Sequence, residues 1–494
     1  MILNNMVCIS NMRNNMVLCL FMSVVFILSP MAGCLEGSDN ANEASSGDNE
    51  INDDGNVTIN NNTSDDDNNL NNNNNTSDNN TEKPPPVTIV NPFVEYQNDS
   101  LMEEDALILI ASNGGKTISL MNKQGEVIHN WTSNMSLGND FQLLPNGDIL
   151  AMLKQTSNKL QNLTFGGYGG VVQILGPSGE VKWSYDKFSN DTAMAHHDVE
   201  MLPNGNVLIM VWDLLNCSIA TEMGIDCQTD IAFESLYEVN VTNSNVVWEW
   251  KSIDHMIQDR YPDKPNYGNI TENKHKIDFN FNVEHPGHGT SGDIMHANGI
   301  DYDEENELIY LSVNFYNEIW VIDHSTNIEE AANSSGGNFG IGGDLVYRFG
   351  NSQAYQSNES VLFIKNHFPN LIEDPSKAGF GNILVYSNGD RNTNNISTVF
   401  ELSLNVSDYL NMTPPDVVWS YTNSSLYSRI VSGAVRGLNN NTYIAEGDYG
   451  VWEVTPSGEV AWKLFYGKTW RAYVYYYHDE GIINLLQHLQ STSD

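Results

Sequence analysis

The sequence predicts an all-β chain: a six-bladed β-propeller behind a disordered N-terminal tether. Three observations carry that expectation. Two kinds of hairpin alternate from about residue 100 onward, many with Asn-Gly or Ser-Gly turns, and the first kind recurs six times. Period-two alternation around such turns is the strongest short-range hairpin signal. Two hairpins make a four-stranded unit, and such units recurring at roughly 40–70 residues match blades, none of which can bury both faces alone.

The first 34 residues read as an address. They hold one basic side chain, Arg13, and then the apolar run Met16–Leu28. That run has the length of a signal-peptide core and is short for a membrane span. It ends in Ser29-Pro-Met-Ala-Gly-Cys34, which resembles a lipoprotein processing site, with Cys34 as the lipidated residue after cleavage. An uncleaved anchor helix with an incidental Cys is the other reading. Both leave the rest of the chain outside the membrane, and the expected location is extracytoplasmic, anchored by lipid at the cell membrane. Residues 35–86 are rich in Asn, Asp, Ser and Thr and end in Pro84-Pro-Pro86, too polar to offset the entropy of ordering. They form the expected tether. Sequons such as Asn56-Val-Thr, Asn62-Thr-Ser and Asn79-Asn-Thr, and later Asn162-Leu-Thr and Asn240-Val-Thr, fit an exported protein open to glycosylation.

Residues 87–494 form the expected propeller domain. The first hairpin appears at Ile118–Trp131, Val172–Trp183, Leu236–Trp250, Ile319–Phe349, Val399–Trp419 and Val451–Trp462, usually ending in an aromatic. The second appears at Phe141–Leu150, Val199–Leu208, Gly299–Tyr310, Leu371–Val385 and Gly437–Ile444. Six of one kind against five of the other imply that the last blade closes with residues from about 87–110. The tail Gly481–Leu489 reads as a short amphipathic helix on the propeller rim.

Composition excludes some functions. Against 63 acidic side chains stand 22 basic ones, a net charge of −41, whereas nucleic-acid binding needs clustered Lys and Arg. Two cysteines remain beyond Cys34, Cys217 and Cys227, ten residues apart in a loop-like stretch; outside the cell a disulfide is expected, and a lone pair makes a zinc site improbable. His285-Pro-Gly-His288, with His275 upstream, sits in a Gly-rich loop with no carboxylate at a ligand interval, so it reads as a plain loop. Phe165-Gly-Gly-Tyr-Gly-Gly170 opens no helix and is not expected to cradle phosphate. No cofactor is implied.

Aligning the second hairpins brings three histidines to one register: His197, His296 and His367 stand just before the strand in successive blades, with Asn139 and Gly433 at the matching places. If that strand is the innermost one, equivalent positions converge on one mouth of the channel. Imidazoles there can act as nucleophile, proton donor or metal ligand; a purely structural role as strand caps is the alternative.

The contexts of these histidines resemble a known family. His196-His-Asp-Val-Glu-Met-Leu-Pro-Asn-Gly-Asn206, Met295-His-Ala-Asn-Gly-Ile-Asp301, Asn317-Glu-Ile-Trp-Val-Ile-Asp323, Asn366-His367 and the closing run Ser432–Trp462 look like the bacterial aryl-sulfate sulfotransferases, over about residues 105–475. The resemblance implies a six-bladed propeller that moves a sulfuryl group from a phenolic sulfate ester to a phenol, without a nucleotide donor, through a sulfo-histidine. The nucleophile falls on His367 and its supporting histidines on His197 and His296. His196, Asn314, Arg436 and Arg471 are the candidate substrate-binding residues. The family carries an Arg shortly after the second His, where this chain has Asn314; Arg436, Arg348 or Lys365 could supply the cation, or the substrate could differ. A propeller that binds a ligand or protein at the same mouth without catalysis is the second reading.

Overall fold

The computed structural model describes residues 7–9, 18–20, 92–155, 165–283, 291–358, 361–390 and 395–493. In the N-terminal unit Val7–Ile9 pairs antiparallel with Leu18–Leu20. Cys34, the sequons at Asn56, Asn62, Asn79 and Asn162, His285 and His288 lie outside the described residues.

The second unit is built on a ring of six antiparallel sheets, with a short parallel pair, Met256–Ile257 and Ile277–Asp278, between the sheets in sequence. Their innermost strands, in chain order of the sheets, are Thr469–Tyr476, Leu137–Leu143, Ala193–Met201, Ala297–Asp303, Asn366–Leu371 and Gly433–Arg436. Each touches the next, and the last touches the first, so the ring is closed. We number the sheets blades 1 to 6 in that order.

Closure differs from the sequence expectation. Ala106–Ser112 belongs to blade 1, where it pairs with the C-terminal strand Thr469–Tyr476. Only Phe93–Gln97 joins the last blade, as a fifth strand on its outer edge. The missing sixth hairpin is therefore split between the two ends of the propeller chain, which no local repeat can reveal. A single ring held shut by both ends buries apolar side chains between all blades.

The repeats explain their own composition. Outer-strand indoles reach the turn of the following blade: Trp183 Nε1 donates to Ser244 Oγ at 3.3 Å, Trp248 to Thr326 Oγ1 at 3.2 Å, Trp419 to Pro456 O at 3.0 Å and Trp462 to Lys123 O at 2.9 Å. In blade 1 the equivalent place is held by His129, whose ring lies 2.9 Å from Pro177 O, and not by Trp131. The final Asn of the second-hairpin turn also has a partner. Asn206, Asn382 and Asn441 donate to Glu238, Glu401 and Glu453 of the same blade. Each of these glutamates is met by a basic side chain of the next blade, His324, Arg436 and Lys123 respectively.

Cys217 and Cys227 form a disulfide with Cα atoms 5.7 Å apart, closing the loop that carries the helix Cys217–Glu222. The helix Glu480–Ser493 lays Ile482 and Leu485 on the apolar cluster of blades 1 and 2.

Candidate active site at the channel mouth

Five of the six innermost strands break register near their start. The ladder slips between Leu137 and Phe141, Ala195 and Val199, Ala297 and Gly299, His367 and Asn370, and Thr469 and Ala472. A bulge leaves extra residues unpaired and re-aims their side chains. His197, His296 and Phe368 take φ of 53°, 50° and 50° there, and Lys365, Val431 and Ser432 beside them are also positive. Left-handed backbone at β-branched Val431 is costly and persists only where the surroundings enforce it.

The outcome is a cavity of about 270 Å³ at the mouth, walled by His197, His296, His367, Asn314, Phe315, Lys365, Arg429, Ile430, Val431, Trp470 and Gly167. The three register histidines come together. Rings of His197 and His296 are 4.8 Å apart and nearly perpendicular. His296 donates from Nδ1 to Asp293 Oδ2, 2.5 Å away, and stacks on Phe315 at 4.8 Å.

His367 is the most fully specified. Asn388 donates its amide N–H groups to Ser428 O and Val431 O, which turns its oxygen toward His367. That oxygen takes the Nδ1 proton at 2.6 Å, and Nε2 accepts from the Val431 amide at 3.2 Å. Burial pushes the imidazole down to about 3, against smaller upward pulls from Asn388 and Lys365 O, with His296 and Arg471 adding to the fall. It is therefore neutral, with its lone pair at Nε2. His197 is also held well below its ordinary range, by burial first and then by His296, His196, His367 and Arg471.

The other expected residues fall differently. Asn314 lines the cavity, its Nδ2 donating to Asn366 O at 3.1 Å and lying 3.5 Å from His367 Nδ1. Lys365 lines it too, as an exposed side chain. His196 does not: it is 0 % exposed and stacked flat on Trp212 behind His197. Arg471 sits beneath the mouth as a pin between blades, donating to Asp140 Oδ1 at 3.1 Å, Asp198 Oδ2 at 2.7 Å and Asn298 O at 2.7 Å, its guanidinium 4.2 Å from the Phe368 ring. Arg436 pairs with Glu401, and Arg348 with Glu318, and neither lines the cavity. His275 bonds to Leu345 O at 2.7 Å.

Sequence reasoning missed Arg429, Phe315, Trp470, Asn388 and Gly167. Trp470 stands on the split blade's inner strand, at the sixth copy of the histidine register. Gly167 belongs to the glycine-rich run set aside above; at φ +82° its Cβ would lie 1.9 Å from His197 Nε2, so only glycine leaves room for the ring. Among the described residues, no group of three or more His, Cys, Asp or Glu is arranged to hold a metal.

Fold and site together define a closed β-propeller with an imidazole-walled mouth. The arylsulfotransferase (ASST) family model matches residues 94–463, and the chain belongs to that family of aryl sulfotransferases. No curated protein matches it in sequence. Solved structures with a similar course include hydrazine synthase of Kuenenia stuttgartiensis, at 12% identity and TM-score 0.32 over 61% of this chain and 69% of that one. A Cps50 (Swd1) β-propeller domain of Myceliophteria thermophila gives 8% identity and TM-score 0.35, over 76% of this chain and 90% of that one. A Lactobacillus plantarum protein gives 8% and 0.37, over 74% and 82%.

Proposed function

We propose that this protein transfers a sulfuryl group from a phenolic sulfate ester to a phenol through a sulfo-histidine on His367, with no nucleotide sulfate donor. The observation that carries the reading is the state of His367: a neutral imidazole in the cavity wall, its Nδ1 proton held by Asn388 and its Nε2 lone pair by the Val431 amide. A neutral, oriented imidazole is what attack on sulfur requires, and a covalent intermediate divides one hard displacement into two easier ones.

The surroundings support the same reading. Phe315 and Trp470 give the cavity aromatic walls for an aryl group. Charge on the sulfuryl oxygens needs donors that are already in place. Lys365 and Arg429 bring cations to the cavity where Asn314 brings none, and the Val431 amide, freed as Nε2 engages sulfur, becomes one more donor. In this reading His197 and His296, side by side in the cavity wall, move the proton to and from phenolic oxygen, whose ordinary pKa is about 10.

The test is steady-state kinetics with an aryl sulfate and a phenol as varied substrates. Parallel double-reciprocal lines are expected, with turnover lowered at least about a thousandfold in His367→Ala. Intersecting lines, or a His367→Ala variant of near wild-type rate, would remove His367 from the reaction. Ligand binding without any turnover by the wild type would favour the non-catalytic reading.

A further inference from the structure

Behind His197 runs a chain of polar contacts that the reaction as written above does not use. Nδ1 of His197 is 2.8 Å from Nδ1 of His196. The other nitrogen of His196, Nε2, is 3.0 Å from Glu234 Oε2, an ion-pair contact without hydrogen-bond alignment. Glu234 Oε1 accepts from Trp212 Nε1 at 3.2 Å and from the Ala297 amide at 2.8 Å. The His196 ring lies parallel to Trp212 at 3.9 Å, so its plane is fixed. His196 and Glu234 are 0 % and 1 % exposed. Two imidazoles facing each other through Nδ1 share one proton, and a buried carboxylate at the far end needs a positive partner.

The transfer cycle needs a proton twice. The leaving aryl oxygen takes one when the donor is cleaved, and the acceptor phenol gives one up when the sulfuryl group leaves the enzyme. A proton stored between the two halves serves both. His197 is a poor place to keep it, because burial first and then His296, His196, His367 and Arg471 disfavour charge on that ring. The carboxylate of Glu234 stands on the far side of His196.

Resting on the sulfuryl-transfer reading, we propose that Glu234, His196 and His197 form a proton wire, in which the stored proton rests on His196 against Glu234 and reaches the reacting oxygen through His197. In the donor half, the His367 Nε2 lone pair forms the N–S bond. The S–O bond breaks with its electrons going to the aryl oxygen, which takes the Nε2 proton of His197. The Nδ1 proton of His196 passes to Nδ1 of His197. Both rings end neutral, with the Nε2 proton left on His196 beside Glu234. In the acceptor half, the phenol gives its proton to His197 Nε2, and the His197 Nδ1 proton returns to His196. The phenolic oxygen bonds to sulfur as the N–S bond breaks, returning the electron pair to His367. Glu234 and His196 are positioning residues that never touch substrate.

Glu234→Gln keeps the carbonyl that Trp212 and Ala297 address but removes the charge. The measurement is the single-turnover rate of sulfuryl addition to His367, followed by intact mass, with phenyl sulfate and with an activated nitrophenyl sulfate. The variant is expected to slow the phenyl donor about a hundredfold and the nitrophenyl donor, whose phenolate leaves with little proton help, less than about threefold. Glu234→Asp, which restores the charge, should recover most of the phenyl-sulfate rate. His196→Gln, which breaks the wire at its middle, must show the same donor dependence. Equal slowing of both donors, or slowing of neither, overturns the wire while leaving sulfuryl transfer intact. Absence of any sulfuryl addition to His367 in the wild type overturns the reading on which it rests.

Discussion

His367 donates from Nδ1 to Asn388 Oδ1 at 2.6 Å and accepts at Nε2 from the Val431 amide at 3.2 Å. These two bonds select one tautomer, and burial keeps it uncharged. In the proposed reaction the nucleophile therefore needs no base to activate it. The neighbouring ring is positioned by an absence: Gly167 has no Cβ, and its carbonyl accepts from the His197 amide at 2.9 Å. Gly167→Ala must displace the His197 ring and strain a backbone at φ +82°. We expect aryl-sulfate turnover to fall about a hundredfold, the scale of a reacting group misplaced by about 1 Å. Strain at the alanine should cost about 1–2 kcal/mol of stability, so the variant remains folded by circular dichroism. Unchanged turnover in a folded variant would show that His197 is not needed where it stands.

At the scale of elements, bulges and clamps divide the work. The bulges at the starts of the inner strands aim side chains into the mouth, at the expense of ladder hydrogen bonds. The clamps hold the blades against one another. The most deeply buried joins blade 6 to blade 1, where Lys123 lies 2.5 Å from Glu453, both side chains are 0 % exposed, and the ammonium sits 3.6 Å from the Trp462 ring. Removing one partner leaves a charge buried without its counter-ion. Lys123→Met is expected to lower unfolding stability by about 3–5 kcal/mol in denaturant titration, and Lys123→Met with Glu453→Met to recover most of it. A loss below about 1 kcal/mol in the single variant would contradict a clamping role.

For the whole molecule, the hairpin repeat made the blade count readable in advance, because turn chemistry and period-two burial are local properties. The three histidines were readable for the same reason: they occupy one register of that repeat. What escaped was non-local. Ala106–Ser112 and Thr469–Tyr476 form one hairpin from opposite ends of the domain, so Trp470 could not be aligned with His197. Arg429 and Val431 come from a loop outside the repeat, and Asn388 from the residue just past a strand end. His196 looked like a second mouth residue beside His197. Alternation along the strand instead sends it behind, onto Trp212 and Glu234. Arg436 and Arg471 looked like cations for substrate, but blade contacts to Glu401 and to Asp140 and Asp198 already hold them.

The account turns on a covalent sulfuryl group at His367, and intact mass with peptide mapping looks for it directly. The propeller chain is incubated with an aryl sulfate alone, then with phenol added. A sulfuryl increment confined to the His367 peptide, formed without acceptor and discharged by phenol, is the predicted result. Turnover of the aryl sulfate with no modified histidine, or with the increment on another residue, would contradict it.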